Sequence, residues 1–315
     1  MIGKAIAYVA LAVSDVEAVA TTLSRPLGLP RTDCPVDGTA RRVPVFGVGA
    51  SALALFAADD PFIGAPGKAG VHHIALQVSD LADAARVARS AGIAVVDADP
   101  RPGLAGARRL ALDPAATVGV RTHLSEPLAI DRHSAGEVDR IDHIGVASRD
   151  NRSALGVFVD GLGGALESTQ TDIEVHVAIE SFTSDTYGAV YHTRPPEPVG
   201  GLRVAFVTVG DCELEFLEDF DPRHGAWVSA DRPGTTKQDQ GAIARFIAAR
   251  GPGLHHVALK VADIDRALTT LGSAGLTLID RVGRPGSRRA LIGFVHPKSF
   301  GGVVLHLVQR PVPTG

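Results

Sequence analysis

One pattern, written four times, constrains this chain more than any other feature of its sequence. A short apolar strand, an Asp and a helical stretch recur as YVALAVSD from Tyr8, HIALQVSD from His73, HIGVASRD from His143 and HVALKVAD from His256. Units repeated in this way bury their apolar faces by packing against one another. In each copy the Asp (Asp15, Asp80, Asp150, Asp263) stands where a helix should start, placed to accept an orphan backbone N–H. The stretches DLADAARVARSAG and DIDRALTTLGSAG are amphipathic and end in Gly, a helix stop. Apolar, β-branched runs follow each helix, among them VPVFGV and SALALFA, RRLAL and VGVRTHL, LRVAFVTV and CELEFLE, ALIGFV and GVVLHLV. These read as strands parted by Gly, Pro and Asp turns. The unit is βαβββ, and the fold class is α+β.

A larger duplication lies over the smaller one, because residues 73–123 match residues 256–306 at one constant offset. The chain therefore reads as two tandem two-module domains: 1–127 (modules 1–62 and 63–127) and 138–315 (modules 138–222 and 240–315). The connecting stretch at about 127–138, within SEPLAIDRHSAGEVDR, mixes Pro, Gly and charge. A length of 315 residues suits two domains, each able to bury a core. The second copy carries insertions near 168–200 and 219–240, which hold Tyr187, Tyr191, His192 and Trp227. Long loops on one copy of a duplicated scaffold point to function.

Composition narrows the partners. A net charge of −4, with 45% hydrophobic and 21% charged residues, offers no basic field for nucleic acid. No apolar run reaches the roughly 18 residues that a membrane span needs. The N-terminus reads as a first strand rather than a signal peptide. Two cysteines far apart, Cys34 and Cys212, fit a reducing compartment. The expectation is a cytoplasmic protein acting on a small molecule, with no nucleic-acid or membrane partner and with a homodimer as one possible assembly.

Equivalent positions in the repeats locate the chemistry. At the first-strand position the four modules carry Tyr8, His73, His143 and His256; at the last-strand position they carry Ala54, His123, Glu215 and His306. The second pair of modules alone fills all four places with metal-capable groups. A carboxylate facing the inside of a sheet, as Glu215 would, is costly unless paired or bound to a metal. His143, Glu215, His256 and His306 are thus the expected ligands of one divalent metal ion; imidazole plus carboxylate suits Zn, Fe, Mn, Co or Ni. In the first half His73 and His123 read as a structural remnant. His72 and His255, one residue before an inward-facing His, are expected on the opposite strand face.

These residues resemble the vicinal oxygen chelate superfamily, which includes glyoxalase I, extradiol dioxygenases, fosfomycin-resistance proteins and methylmalonyl-CoA epimerase. The second half is most similar to the epimerases through IDHIGVA at 141, LRVAFVTVGDCELEFLE at 202, GAIARFIAARGPGLHHVALKVADID at 241 and HPKSFGGVVLHLVQ at 296. The resemblance implies metal ligands at His143, Glu215 and His256. It departs at His306, where the epimerase pattern has Glu, and at Val199, where that pattern has a catalytic Glu; here Glu197 lies two residues away. What it implies is a metal-dependent isomerase, epimerase or lyase that stabilises an enolate beside a carbonyl of a substrate with vicinal oxygens, such as a keto acid or acyl-CoA. The acid–base candidates are Glu197, His192 and Glu213. Arg288, Arg289, Lys298 and Ser299 are the candidate anchors for a substrate carboxylate or phosphate. A non-haem Fe(II) dioxygenase and a metal-free binding or resistance protein are the rival readings. His306 is either the fourth ligand or, if it does not bind metal, a base beside a three-ligand centre.

Overall fold

The computed structural model describes residues 3, 5–64, 67–132, 137–186, 188–223 and 241–311, the side chains of residues 182 and 190–192 apart. The first half runs β1 (Ala5–Val13), α1 (Val16–Ser24), β2 (Arg31–Pro35), β3 (Arg42–Val48), β4 (Ser51–Ala57), β5 (Gly70–Gln77), α2 (Leu81–Ser90), β6 (Arg101–Pro102), β7 (Arg108–Ala111) and β8 (Thr122–Ser125). The second runs β9 (Val138–Ser148), α3 (Asn151–Leu155), β10 (Ala165–His176), β11 (Ile179–Ser184), β12 (Gly188–Thr193), β13 (Glu197–Val209), β14 (Cys212–Phe220), α4 (Gly241–Arg250), β15 (Gly253–Val261), α5 (Ile264–Ser273), β16 (Arg284–Pro285), β17 (Leu291–Val295) and β18 (Val304–Gln309). Each half contains one eight-stranded sheet, in the orders β2-β3-β4-β1-β5-β8-β7-β6 and β10-β13-β14-β9-β15-β18-β17-β16. The two orders are the same when β1 is laid on β9, as the repeat requires.

The local chemistry sets these elements. All four repeated Asp residues cap their helices: Asp15 accepts from the Ala18 N–H, Asp80 from Asp83, Asp150 from Arg152 and Ser153, and Asp263 from Arg266. Gly92 and Gly275, just past α2 and α5, adopt φ of 78° and 92°, where a side chain would be strained. After α3 the chain widens into a π-helical turn at Gly156–Gly161, so the third module has a distorted helix where its sisters have regular ones.

Within each half the modules meet through their first strands, which pair antiparallel: β1 with β5, and β9 with β15. Each first strand also pairs parallel with the last strand of its own module. The four residues of the site therefore sit on four adjacent strands, β14-β9-β15-β18. One apolar cluster, which includes Leu11, Val13, Leu81, Phe158, Phe216, Leu268 and Phe300, takes residues from both halves. Closer contacts join the halves as well. The Ser14 N–H donates to the Gly301 carbonyl (3.0 Å), Lys68 Nζ to that of Ala249 (3.1 Å) and Arg250 Nη1 to that of Ala69 (2.7 Å). Residues 131–132 press on Gly47, where a Cβ would lie 2.2 Å from the Asp131 carbonyl.

On the remaining sheet faces the halves differ. In the first, Tyr8, Ala10, Cys34, Phe56, Phe62, Ala75 and Leu104 belong to one buried apolar cluster. In the second, two smaller clusters, one around Phe206 and Leu217 and the other around Ile292 and Val308, leave buried polar groups between them.

Candidate metal centre

His143 enters from β9, Glu215 from β14, His256 from β15 and His306 from β18, and all four are buried. Glu215 pairs with Gly145 in parallel register, His256 pairs with Gly145 in antiparallel register, and His306 pairs with Ala258. Residues two apart on one strand share a face, so His143, two residues from Gly145, joins them. Gly145 is what allows the closest approach. A Cβ there would fall 2.0 Å from Cε1 of His256, so the imidazole lies directly over the glycine.

The donor atoms converge. His143 Nε2 and His256 Nε2 are 3.3 Å apart, and Glu215 Oε2 is 3.4 Å from each. Two donors roughly 2.0–2.1 Å from one tetrahedral ion stand about 3.4 Å apart, so these three atoms are spaced as ligands of a single ion would be. Ligand nitrogens of His143, His256 and His306 all fall within 4.8 Å of one another, and this triad could hold a metal. His306 supplies a further sign. Both its ring nitrogens are buried without a hydrogen-bond partner, which a protein tolerates at a cost unless a ligand meets them. Its ring stacks on Phe294, with centroids 4.2 Å apart and planes 9° apart. Burial, then the neighbouring His143 and His256, hold the His306 imidazole well below its ordinary pKa and therefore neutral. Burial pushes the Glu215 carboxyl up, but the charge of His143 and a hydrogen bond from His256 prevail and bring it down to about 2. A deprotonated carboxylate is the state in which Glu215 can take a metal ion.

Partners behind the ligands orient them. Asp142 Oδ1 lies 2.8 Å from Nδ1 of His143, and Arg310 Nε donates to Asp142 Oδ2 at 3.0 Å. Asp142 stands next to His143 in IDHIG, but nothing in the sequence ties it to Arg310, 168 residues further on. Hydrogen bonding at Nδ1 leaves Nε2 of His143 to face inward. His255 departs from expectation. Strand register slips at His255, a β-bulge that puts its Nδ1 3.0 Å from that of His256 rather than on the opposite face. The first half repeats the device at His72, 2.9 Å from His73. There Tyr8 Oη lies 3.1 Å from Nε2 of His73, so a phenol answers the atom that faces the site in the second half.

Beside His143 on the same face, Glu213 is held by Arg288, whose Nη1 donates to it at 2.8 Å, while Arg310 Nη2 is 3.7 Å away. It is an ion-paired carboxylate rather than a free base. Arg288 also donates to Glu167 at 2.8 Å and covers the Phe206 ring at 3.8 Å. Arg288 and Arg289 both take left-handed backbone, with φ of 54° and 59°; two successive non-glycine residues there store strain next to the cavity. The Arg289 side chain is exposed. Ser287 and Ala290 line the cavity, along with Phe206, Leu217, Ile292 and Phe294.

The other candidates lie elsewhere. Glu197 is the exposed first residue of β13, paired with His176. Eight residues of strand part it from Phe206, roughly 30 Å at the usual rise. His192 belongs to the β11–β12 hairpin, and its side chain is outside the described residues, as are Tyr187 and Trp227. Lys298 is exposed, and the Ser299 hydroxyl accepts from the Thr277 N–H, in a turn whose continuation at Gly301 packs against Val13 and Val19 of the first half. Neither lines the cavity.

Comparison with known proteins agrees with this architecture. The model of the Glyoxalase/Bleomycin resistance protein/Dioxygenase superfamily matches residues 7–111 and 142–294. The chain belongs to that superfamily. Among curated proteins it is 28% identical over 144 residues to the mitochondrial methylmalonyl-CoA epimerase of Dictyostelium discoideum, spanning 43% of this chain and 76% of that one. It is 26% identical over 172 residues to the uncharacterized protein YqjC of Bacillus subtilis, spanning 55% and 93%. A mutant of 4-hydroxymandelate synthase from Streptomyces coelicolor superposes on the whole chain with a TM-score of 0.64 and covers 95% of that structure; at 18% identity this is a likeness of fold. Among the described residues no helix is long and apolar enough to cross a membrane.

Proposed function

We propose that the protein is a metal-dependent isomerase, epimerase or lyase that moves a proton beside a carbonyl of a small substrate carrying vicinal oxygens. The observation that carries this reading is the convergence of Nε2 of His143, Nε2 of His256 and Oε2 of Glu215 at spacings of 3.3–3.4 Å, with the unpartnered His306 beside them. A divalent ion held by those three donors would polarise the carbonyl as a Lewis acid and lower the cost of removing the neighbouring proton. The chain's own residues do the rest. His306, with both ring nitrogens free of hydrogen bonds, is the side chain placed to take the proton. Phe294 fixes the plane of that ring. Phe206, Leu217 and Ile292 keep water from the cavity, which strengthens every charge interaction inside it. The likeness to methylmalonyl-CoA epimerase supports a substrate with a carbonyl beside an acidic C–H.

The test has two readouts. Protein purified without chelator should carry close to one divalent ion per chain, and it should exchange solvent deuterium into a 2-oxo acid or acyl-CoA without consuming oxygen. A metal content near zero that His256→Ala leaves unchanged would overturn the proposal. The same donors support a second reading, because two histidines and one carboxylate are also the ligand set of non-haem Fe(II) oxygenases. Oxygen uptake with Fe(II) and an aromatic keto acid would decide for it.

A further inference from the structure

Three guanidinium groups stand around the candidate metal centre, and they differ in what answers them. Arg288 turns Nη1 and Nη2 to Glu213 and Glu167 and leaves only its inner Nε unpartnered, and Arg310 pairs with Asp142. Arg284 is different. Its Nε donates to Asp280 Oδ1 at 3.0 Å, and Asp280 Oδ2 in turn accepts from the Phe294 N–H at 3.0 Å, so the side chain is braced against β17. Its Nη1 is buried with no hydrogen-bond partner among the described residues. A buried guanidinium N–H left unmatched is costly and calls for an acceptor.

The register says where that acceptor would be. Arg284 on β16 pairs with Ile292 on β17, and paired residues of antiparallel strands project to the same face. Ile292 lines the metal cavity, so Arg284 flanks it. The guanidinium carbon lies 5.5 Å from the centre of the Phe294 ring, which also stacks on His306. The cavity measures about 40 Å³. That is room for a few water-sized groups, so the reacting end of a substrate enters it and the rest stays outside.

We infer that Arg284 receives the carboxylate of the substrate at the mouth of the centre, which makes that substrate a carboxylic acid with its carbonyl one or two bonds away. Charge-assisted, fork-shaped contact is what a guanidinium offers a carboxylate. This assignment rests on the proposed metal-dependent reading for the position of the carbonyl, but not for the carboxylate contact itself.

Binding of pyruvate and of methyl pyruvate to the full-length protein, measured calorimetrically with and without one equivalent of zinc, tests it. The two probes share their vicinal oxygens and differ in the negative charge. Arg284→Gln should weaken pyruvate roughly tenfold or more while leaving methyl pyruvate and zinc uptake unchanged. Arg284→Lys, which keeps the charge without the fork, should fall between the two, and Arg289→Gln should match the wild type. Equal pyruvate affinity in the wild type and Arg284→Gln, or no pyruvate binding by the wild type, overturns the inference. Failure of the wild type to take up zinc would instead overturn the metal reading, and an Arg284-dependent pyruvate isotherm without zinc would then leave this inference standing.

Discussion

Gly145 belongs to the centre as much as the histidines do, because His256 occupies the space its side chain would fill. Gly145→Ala should push the imidazole off the strand and lower metal affinity on the order of tenfold or more, with overpacking costing roughly 1–3 kcal/mol of stability. Competition with a chromophoric chelator measures the first effect and urea unfolding the second; unchanged affinity would show that His256 is not a ligand. Asp142 acts one step further back. Asp142→Asn keeps the shape but weakens the hold on His143 Nδ1, and metal affinity should fall roughly 10–100-fold in the same assay. The proposed split between ligands and base is also decided at single residues. His306→Ala should retain the ion while slowing proton exchange by roughly 10²–10⁴, and loss of the ion would make His306 a fourth ligand. That His143, Glu215, His256 and His306 would come together on adjacent strands was legible in the sequence because four equivalent places in a repeat can be compared with one another. Gly145, Asp142 and Arg284 were not, since what they do depends on a ring crossing from the next strand, a partner at Arg310 and an orphaned nitrogen.

At the scale of elements, the repeat made β9, β14, β15 and β18 legible with their Asp-capped helices, and the insertions broke it. By its distance from LRVAF in the sequence, Glu197 is expected near the centre. The strand instead runs outward: Gly201–Val209 pairs with β14, whereas Glu197–Gly200 pairs only with β10. This outer arm runs beyond the strands that carry the centre, so Glu197→Gln should leave metal content and proton exchange unchanged. A loss of exchange comparable to that of His306→Ala would mean that the arm folds back in the complex. The bulges at His72 and His255 show a second limit. Strict alternation sends alternate residues to opposite faces, and one extra residue in a strand overrides it. Nothing in the HH pair itself announces the bulge.

Across the whole molecule, duplication has produced one half that can bind a metal and one whose equivalent face is filled. Tyr8 meets His73, and the rings of His73 and His123 lie 4.1 Å apart among Phe62 and the surrounding apolar side chains. These two histidines, His73 buried and His123 partly so, make stability sensitive to acid. Burial first, then Arg109 and His72, pulls His123 down to about 3, and burial with His123 nearby holds His73 well below its ordinary value. Both folded pKa values lie below the unfolded value of about 6.5, so the unfolded chain binds protons that the folded chain refuses. Stability should therefore be constant with respect to these groups above about pH 6.5 and fall as the pH drops from there toward 3. Each such group adds a slope of about 1.4 kcal/mol per pH unit once its unfolded form is protonated. His123→Leu removes one of them while keeping the volume apolar, so urea unfolding between pH 6 and 4 should show a slope shallower by about that amount, with metal affinity at pH 7 unaffected. An unchanged slope would mean that His123 already binds a proton in the folded state. That would require the filled half to retain polar room around its paired histidines, and so to be less a remnant than its packing indicates.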